Sequence, residues 1–267
     1  MKRNLKLQSP DALTLKKILS SYSSLGKRVD LGDELKFYHC DQWKNSVMSP
    51  IILNQSKNWK KSLDNLELHF KNHSKKSPYD SSPYFNLIAK GKKSLPTETL
   101  KILRQHGWEP MAVKSSLNIW NHPLDLKLPR GIHIRTGSYF DAQLYPHFLK
   151  AMQKNFKASK EFMLHLNKMM KTIESNVTTV LLYSESGSCV GAGLVATKNN
   201  AAFLFCGSVN KPYRGRKLWK VLVAARQMIS SSQGAKSWIT TTRISQLLWQ
   251  GEDTYRIHIF NKISDMN

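Results

Sequence analysis

The sequence predicts a mixed α/β chain, of the α+β kind, built in two halves. Three observations carry this. Segments with strand-like alternation recur between segments of helical period along nearly all of the 267 residues. Within "TTVLLYSESGSCVGAGLVATKNNAAFLFCGSV", three strand-like runs are separated by Ser-Glu-Ser-Gly and Lys-Asn-Asn, an antiparallel meander. "NHPLDLKLPRG" places two prolines and a glycine between patterned stretches and reads as a linker. The halves are therefore taken as residues 1–130 and 131–267.

The first half opens with "SPDALTLKKILSSYSSLG". Ser9-Pro10-Asp11 is a cap-like start, and Leu13, Leu15, Ile18 and Leu19 recur near helical spacing. "ELKFYHC" alternates like a strand. "KNWKKSLDNLELHFKNHSKK" is a basic amphipathic helix with Leu63, Leu66 and Phe70 on one side. His69 and His73 stand four apart on it, but no cysteine or further histidine is placed to complete a metal site, so no metal is expected. "SPYFNLIAKG" reads as a strand, "LPTETLKILRQHG" as a helix capped by Gly107, and "WEPMAVKSSLNIW" as another strand.

The second half begins with the alternating strand "GIHIRTG" and two helices, "YFDAQLYPHFLKAMQKNF" and "SKEFMLHLNKMMKTI". The meander follows. A basic turn then leads into a long helix from about Arg214 to Ser232, the strand "KSWITTT", a short helix "ISQLLWQG" and a last strand "TYRIHIF".

Charge separates function classes. Lys and Arg number 41 against 18 Asp and Glu, a net charge of +23. Both halves share it, with 23 basic and 11 acidic residues up to Arg130 and 18 and 7 after it. No basic tail accounts for the excess. Such a surface attracts polyanions, and non-specific nucleic-acid binding is one expectation, with the helix at 57–76 and "KGKK" at 90–93 as carriers. A solubility bias is the other reading. Cys40, Cys189 and Cys206 show no CxxC spacing, which fits a reducing cytoplasm. No run approaches the ~20 apolar residues a spanning helix needs, and the basic start lacks an apolar signal core. No membrane partner is expected, and the chain is expected to be a monomer.

The most specific stretch is "VNKPYRGRKLWKVLVAAR", residues 209–226. Together with the element order of residues 131–267, it resembles the GCN5-related N-acetyltransferase (GNAT) superfamily. Members commonly show Val, a Pro-containing turn, Tyr-Arg-Gly-Arg-Gly-Leu-Gly, then an aliphatic helix. The resemblance implies the acyl-CoA N-acyltransferase fold, a twisted mixed sheet flanked by helices. "SPYFNLIAKGKKSLPTETLKILRQHGWEP" resembles the amino-terminal half of tandem proteins of this fold. It implies two tandem copies, with residues 1–130 a degenerate GNAT-like domain lacking the cofactor turn and 131–267 the acetyltransferase domain.

What the resemblance implies for chemistry is transfer of an acetyl group from acetyl-CoA, as co-substrate, to a primary amine of a small molecule or protein. Ser208, Val209, Arg214, Gly215, Arg216, Lys217, Leu218 and Trp219 are its cofactor-binding positions, with backbone N–H groups and the helix dipole facing a pyrophosphate. The family pattern puts glycines at Lys217 and Trp219. Both positions are expected in the first helical turn, at negative φ. Trp219 either covers the phosphate cradle or packs on the sheet, and Lys217 supplies a charge. The family's acid, a Tyr on the helix after the fifth strand, falls near Trp249, which cannot protonate a thiolate. Tyr255 is the nearest phenol and the catalytic candidate; a strand residue with its hydroxyl in solvent is the alternative. For a base, Glu185 belongs to a hairpin tip, while Glu252 and Asp253 follow the short helix. Cys206 is a nucleophile, an acid or a core thiol. Two alternatives to the enzyme stay open: an inactive binding protein of this fold acting on a polyanion such as RNA, and an aminoacyl-tRNA-dependent transferase.

Overall fold

The computed structural model describes residues 12–23, 25, 27–30, 36–39, 46–52, 59–73, 84–90, 95, 97–173, 175–243 and 253–262. The chain forms two compact units. One joins Met1–Asn118 to Thr242–Asn267, and the other is Ile119–Thr241.

In the first unit, helices α1 (Ala12–Tyr22), α2 (Trp59–His73) and α3 (Thr97–Gln105) accompany strands β1 (Lys27–Asp30), β2 (Lys36–His39), β3 (Ser46–Ile52), β4 (Tyr84–Lys90) and β5 (Trp108–Trp120). Strand β11 (Asp253–Lys262), late in the chain, belongs to this sheet and not to the unit Ile119–Thr241 that comes before it in sequence. It pairs antiparallel with β4 from Tyr255↔Lys90 to Asn261↔Tyr84. The order within the unit is β1-β2-β3-β4-β11-β5, with β3 and β4 parallel. Ile18, Leu63, Leu66, Leu103 and Trp108 are fully buried. Gly107 closes α3 as its sequence suggests, at φ +70 with its N–H on Arg104 O. His69 and His73 lie on α2, but their side chains fall outside the described residues, as do residues 91–93 of "KGKK" and residues 244–252, where the short helix with Trp249 is expected.

The second unit follows the expected order. Strand β6 (Ile132–Ser138) leads to helices α4 (Tyr145–Phe156) and α5 (Lys160–Thr172), then β7 (Asn176–Ser184), β8 (Cys189–Lys198) and β9 (Ala201–Val209). These four strands are antiparallel neighbours, and α6 (Leu218–Ser232) carries the chain back to β10 (Ser237–Arg243), parallel to β9. Gly187 and Asn199 take positive φ in the two hairpin turns. Successive strand residues face opposite sides. Val180 and Leu182 pack with Val221, Leu222 and Ala225 of α6, so Leu181 and Tyr183 face the other side, where His147 of α4 meets Tyr183 edge-on at 5.4 Å. Both faces are thereby covered. Ser159 caps α5 by accepting from Phe162 N at 3.1 Å.

One expectation fails here. The helix does not begin at Arg214. A 3-10 turn over Lys211–Tyr213 comes first, and α6 starts at Leu218. The reason is backbone direction: Gly215 at φ +83 and Lys217 at φ +59 both lie in the left-handed region, which no helical turn contains.

Candidate functional site

The site is built on the end of β9. Opposite Gly193 of β8 stand two residues of β9, Cys206 and Gly207, since the register passes from Leu194↔Phe205 to Ala192↔Ser208. This is a bulge, and Cys206 takes φ +49 within it. On the other side of β9, parallel pairing with β10 runs from Ala201↔Ser237 to Leu204↔Thr240 and stops. From Phe205 to Val209 the edge of β9 has no strand partner on that side among the described residues of the unit.

Two glycines at the bulge make room for two large side chains of α6. A Cβ on Gly207 would lie 2.8 Å from the Trp219 ring and 3.0 Å from Arg226 Nη2. A Cβ on Gly193 would lie 3.1 Å from Arg226 Nη1. Arg226 is fully buried. Its Nε donates to Leu222 O at 3.1 Å, and its Nη1 donates to Leu194 O and Phe205 O at 3.3 Å each. The guanidinium lies 5.5 Å from the Trp219 ring centroid. Trp219 therefore packs on the sheet instead of covering the turn. Burial lowers the Arg226 pKa to about 9, while the nearby Cys206 thiol pulls it the other way. Burial also pushes the Cys206 thiol up to about 12, against the guanidinium. Cys206 is a partly exposed thiol in the bulge whose neutral form is favoured.

Beyond β9 the chain is clamped, then opened. Asn210 N donates to Val190 O at 2.9 Å and its Nδ2 to Cys189 O at 2.7 Å. Asn155, on the last turn of α4, donates Nδ2 to Asn210 Oδ1 at 2.7 Å and to Ser208 Oγ at 3.1 Å. Arg214 Nε donates to Val209 O at 3.1 Å and straps the turn to the strand. Arg216 stacks over Tyr213, 5.3 Å from its centroid. A Cβ on Gly215 would meet nothing within 4 Å. Arg214 N still bonds Lys211 O, and Lys220 N and Val221 N bond Lys217 O. Between them, the N–H groups of Gly215, Arg216, Lys217, Leu218 and Trp219 have no protein partner among the described residues. Alternating φ signs at 215–218 turn successive amides into one concavity, at the positive end of α6.

Lys217 corrects the second expectation. It was placed at negative φ, and it sits at φ +59. This is a backbone conformation that glycine adopts readily and other residues rarely do. An open depression of about 590 Å3 adjoins the turn, lined in part by Arg130, Glu185, Tyr213 and Arg216. Glu185 is on the β7–β8 hairpin tip, as expected.

Near the bulge lies a cluster that the sequence did not single out. Tyr139 Oη donates to Asn167 Oδ1 at 2.7 Å, and Tyr145 Oη donates to the same oxygen at 3.0 Å. Asn167 Nδ2 lies 2.7 Å from Tyr145 Oη. Burial first, then Tyr145 and Cys206, push the Tyr139 phenol far up, so these groups face one another. Tyr145 is half-buried and Tyr139 buried. Asp141 is occupied as a cap, accepting from Gln143 N and Leu144 N. Tyr255 is a β11 residue of the first unit, 1% exposed and not solvent-facing. Trp249 and Glu252 lie outside the described residues, and Asp253 begins β11. Among the described residues there is no cluster of three or more His, Cys, Asp or Glu able to hold a metal, and no helix long and apolar enough to cross a membrane.

No family model matches the chain, and no curated protein matches it by sequence. Solved structures do match. A GCN5-related N-acetyltransferase from Kribbella flavida superposes with a TM-score of 0.59 at 13% identity, covering 95% of this chain and 94% of that one. One from Sphaerobacter thermophilus gives 0.57 at 14%, covering 90% and 84%. A protein of unknown function from Staphylococcus epidermidis gives 0.58 at 12%, covering 90% and 95%. The chain has the acyl-CoA N-acyltransferase fold, a mixed sheet flanked by helices.

Proposed function

We propose that the unit Ile119–Thr241 binds acetyl-CoA, or a related short acyl-CoA, and transfers its acyl group to a primary amine. The observation that carries this reading is the run of five partnerless N–H groups from Gly215 to Trp219 beside open space at Gly215. A helix start of this kind attracts phosphate whatever side chains it carries, and Arg214, Arg216, Lys217 and Lys220 add positive charge around it. The unpaired edge of β9 beyond Leu204 offers backbone groups to a pantetheine arm laid down as an added strand.

In this reading the amine nitrogen attacks the thioester carbonyl. The C–N bond forms, the C–S bond breaks, the ammonium loses a proton and the sulfur gains one. Tyr145, half-buried and held by Asn167, is the candidate proton donor on the α4 side of the bulge. Tyr255 is not used. Asn155 keeps Ser208 and Asn210 in place and so fixes the strand end from which the turn departs.

A second reading has a specific observation behind it. The Trp219 ring fills the bulge beside the free edge, and a fold that retains anion attraction but blocks the arm would serve as a binding protein for a polyanion. The tandem arrangement is likewise proposed. A tandem GNAT protein of the clavulanic acid biosynthesis pathway superposes at a TM-score of 0.50 and 13% identity, over 82% of this chain and 75% of that one. The deciding experiment is thermal unfolding with and without acetyl-CoA, followed by CoA thiol release over a panel of primary amines. Binding at a hundred times the dissociation constant adds about 2.7 kcal/mol. Stabilisation with amine-dependent thiol release supports the enzyme. Stabilisation by RNA but not by acetyl-CoA supports the second reading.

A further inference from the structure

Arg226 is out of place for a structural residue. It is fully buried, yet among the described residues no carboxylate lies within ion-pair distance of it. Backbone carbonyls satisfy Nε and Nη1, but Nη2 has no hydrogen-bond partner. A buried cation left in this state is costly, because desolvation is not offset by a counter-charge. Among the described residues, the titratable group that acts on it is the Cys206 thiol, whose neutral form burial favours. Nη2 is aimed at Gly207, on the stretch of β9 whose edge is unpaired. The Trp219 ring lies against the same glycine and is only partly buried. Trp219 thus packs against both the guanidinium and the glycine on that stretch, and covers them from the α6 side.

We infer that Arg226 is the receptor for a carboxylate at the far end of the donor's acyl chain, reached when Trp219 turns aside, so that the preferred donor is a short dicarboxylic acyl-CoA and not acetyl-CoA. This rests on the acyl-CoA reading above and narrows it to a donor class. A carboxylate supplies both what the guanidinium lacks: an opposite charge and acceptors for the Nη2 protons. The cover explains why the cation persists without a ligand, since the indole face gives partial compensation. The space beside the bulge glycines, Gly193 and Gly207, is filled by Arg226 and Trp219, so the chain end reaches the guanidinium only into the volume that the indole gives up.

Calorimetric titration of the full-length protein with succinyl-CoA and with acetyl-CoA tests this. The expected result is a dissociation constant at least tenfold lower for succinyl-CoA. Arg226→Met should weaken succinyl-CoA binding at least tenfold more than acetyl-CoA binding, and Arg226→Lys should retain part of the preference. Equal affinities in the wild type, or a preference that survives Arg226→Met, overturns the inference and leaves the acyl-CoA reading standing. If folded wild-type protein binds neither thioester, the acyl-CoA reading fails and the inference with it. Should Arg226→Met not fold, Trp219→Ala serves instead: removing the cover should widen the preference for succinyl-CoA, and an unchanged or narrowed preference overturns the inference.

Discussion

The two ends of the β9 track are built in opposite ways. At the turn, backbone does the work: Gly215 faces open space and five amides are free. At the bulge, side chains do it: Trp219 and Arg226 fill the space that Gly193 and Gly207 leave. The two ends consequently differ in what their side chains do. Lys217 takes a backbone conformation that favours glycine, at φ +59. Trp219 is a large residue at the bulge and sets what the track can hold. On the proposed function, the anion-attracting part of the site lies in the turn and its selectivity in the bulge.

Filling the bulge further is the harshest way to break this contrast. Gly207→Ala puts a Cβ 2.8 Å from the Trp219 ring, and overpacking of this kind costs about 1–3 kcal/mol. Urea unfolding should show that loss. Adding Trp219→Ala should recover most of it, a coupling that a double-mutant cycle measures directly. At the turn, Arg214→Ala removes both a charge near the amides and the strap to Val209 O. Acetyl-CoA affinity should fall by about 1–3 kcal/mol, the scale of a lost charged hydrogen bond. Equal effects of Arg214→Ala and a bulge variant on acetyl-CoA affinity would erase the proposed division of labour.

Lys217 gives a smaller and opposite effect. Lys217→Gly should raise stability by about 0.5–1 kcal/mol by relieving left-handed backbone, whereas Lys217→Ala should not, since alanine carries the same Cβ. Chemical denaturation of the two variants separates strain from charge. The smallest effect at neutral pH concerns the buried phenols. Burial raises the pKa of Tyr22 and of Tyr139 above the unfolded value of 10.0. Their neutral form is favoured in the fold, so this contribution is complete below pH 10 and is lost as pH climbs above it. Phenolate absorbance should show these two lagging behind the rest of the nine tyrosines, and Tyr139→Phe should make the alkaline fall in stability shallower.

The order of elements in Ile119–Thr241 was legible because turn residues punctuate clear periodicities. Ser-Glu-Ser-Gly and Lys-Asn-Asn mark real hairpins. Strand β3 was not legible, since Pro50 in "SVMSPII" argues against a strand, and β1, "KRVD", has too few apolar residues to show alternation. The helix start was misplaced because nothing in a lysine announces left-handed backbone; context imposes it. The burial of Arg226 was invisible for a related reason. Its room comes from glycines on two strands, 33 and 19 residues away in sequence. The Tyr139–Tyr145–Asn167 group is assembled from the β6–α4 connection, α4 and α5, and no spacing rule joins them.

The pairing of β11 with β4 sets a timetable for biosynthesis. Lys90 meets Tyr255, 165 residues later in the chain. At about 5–20 residues per second, β4 waits roughly 8–33 s on the ribosome for that partner. Over that interval its β11-facing edge is open, and an open strand edge invites pairing with other chains. The whole of Ile119–Thr241 emerges during the same wait. The unit carrying the turn and the bulge is therefore synthesised in full before the first unit can close its sheet, and a nascent-chain chaperone would find its substrate in β4.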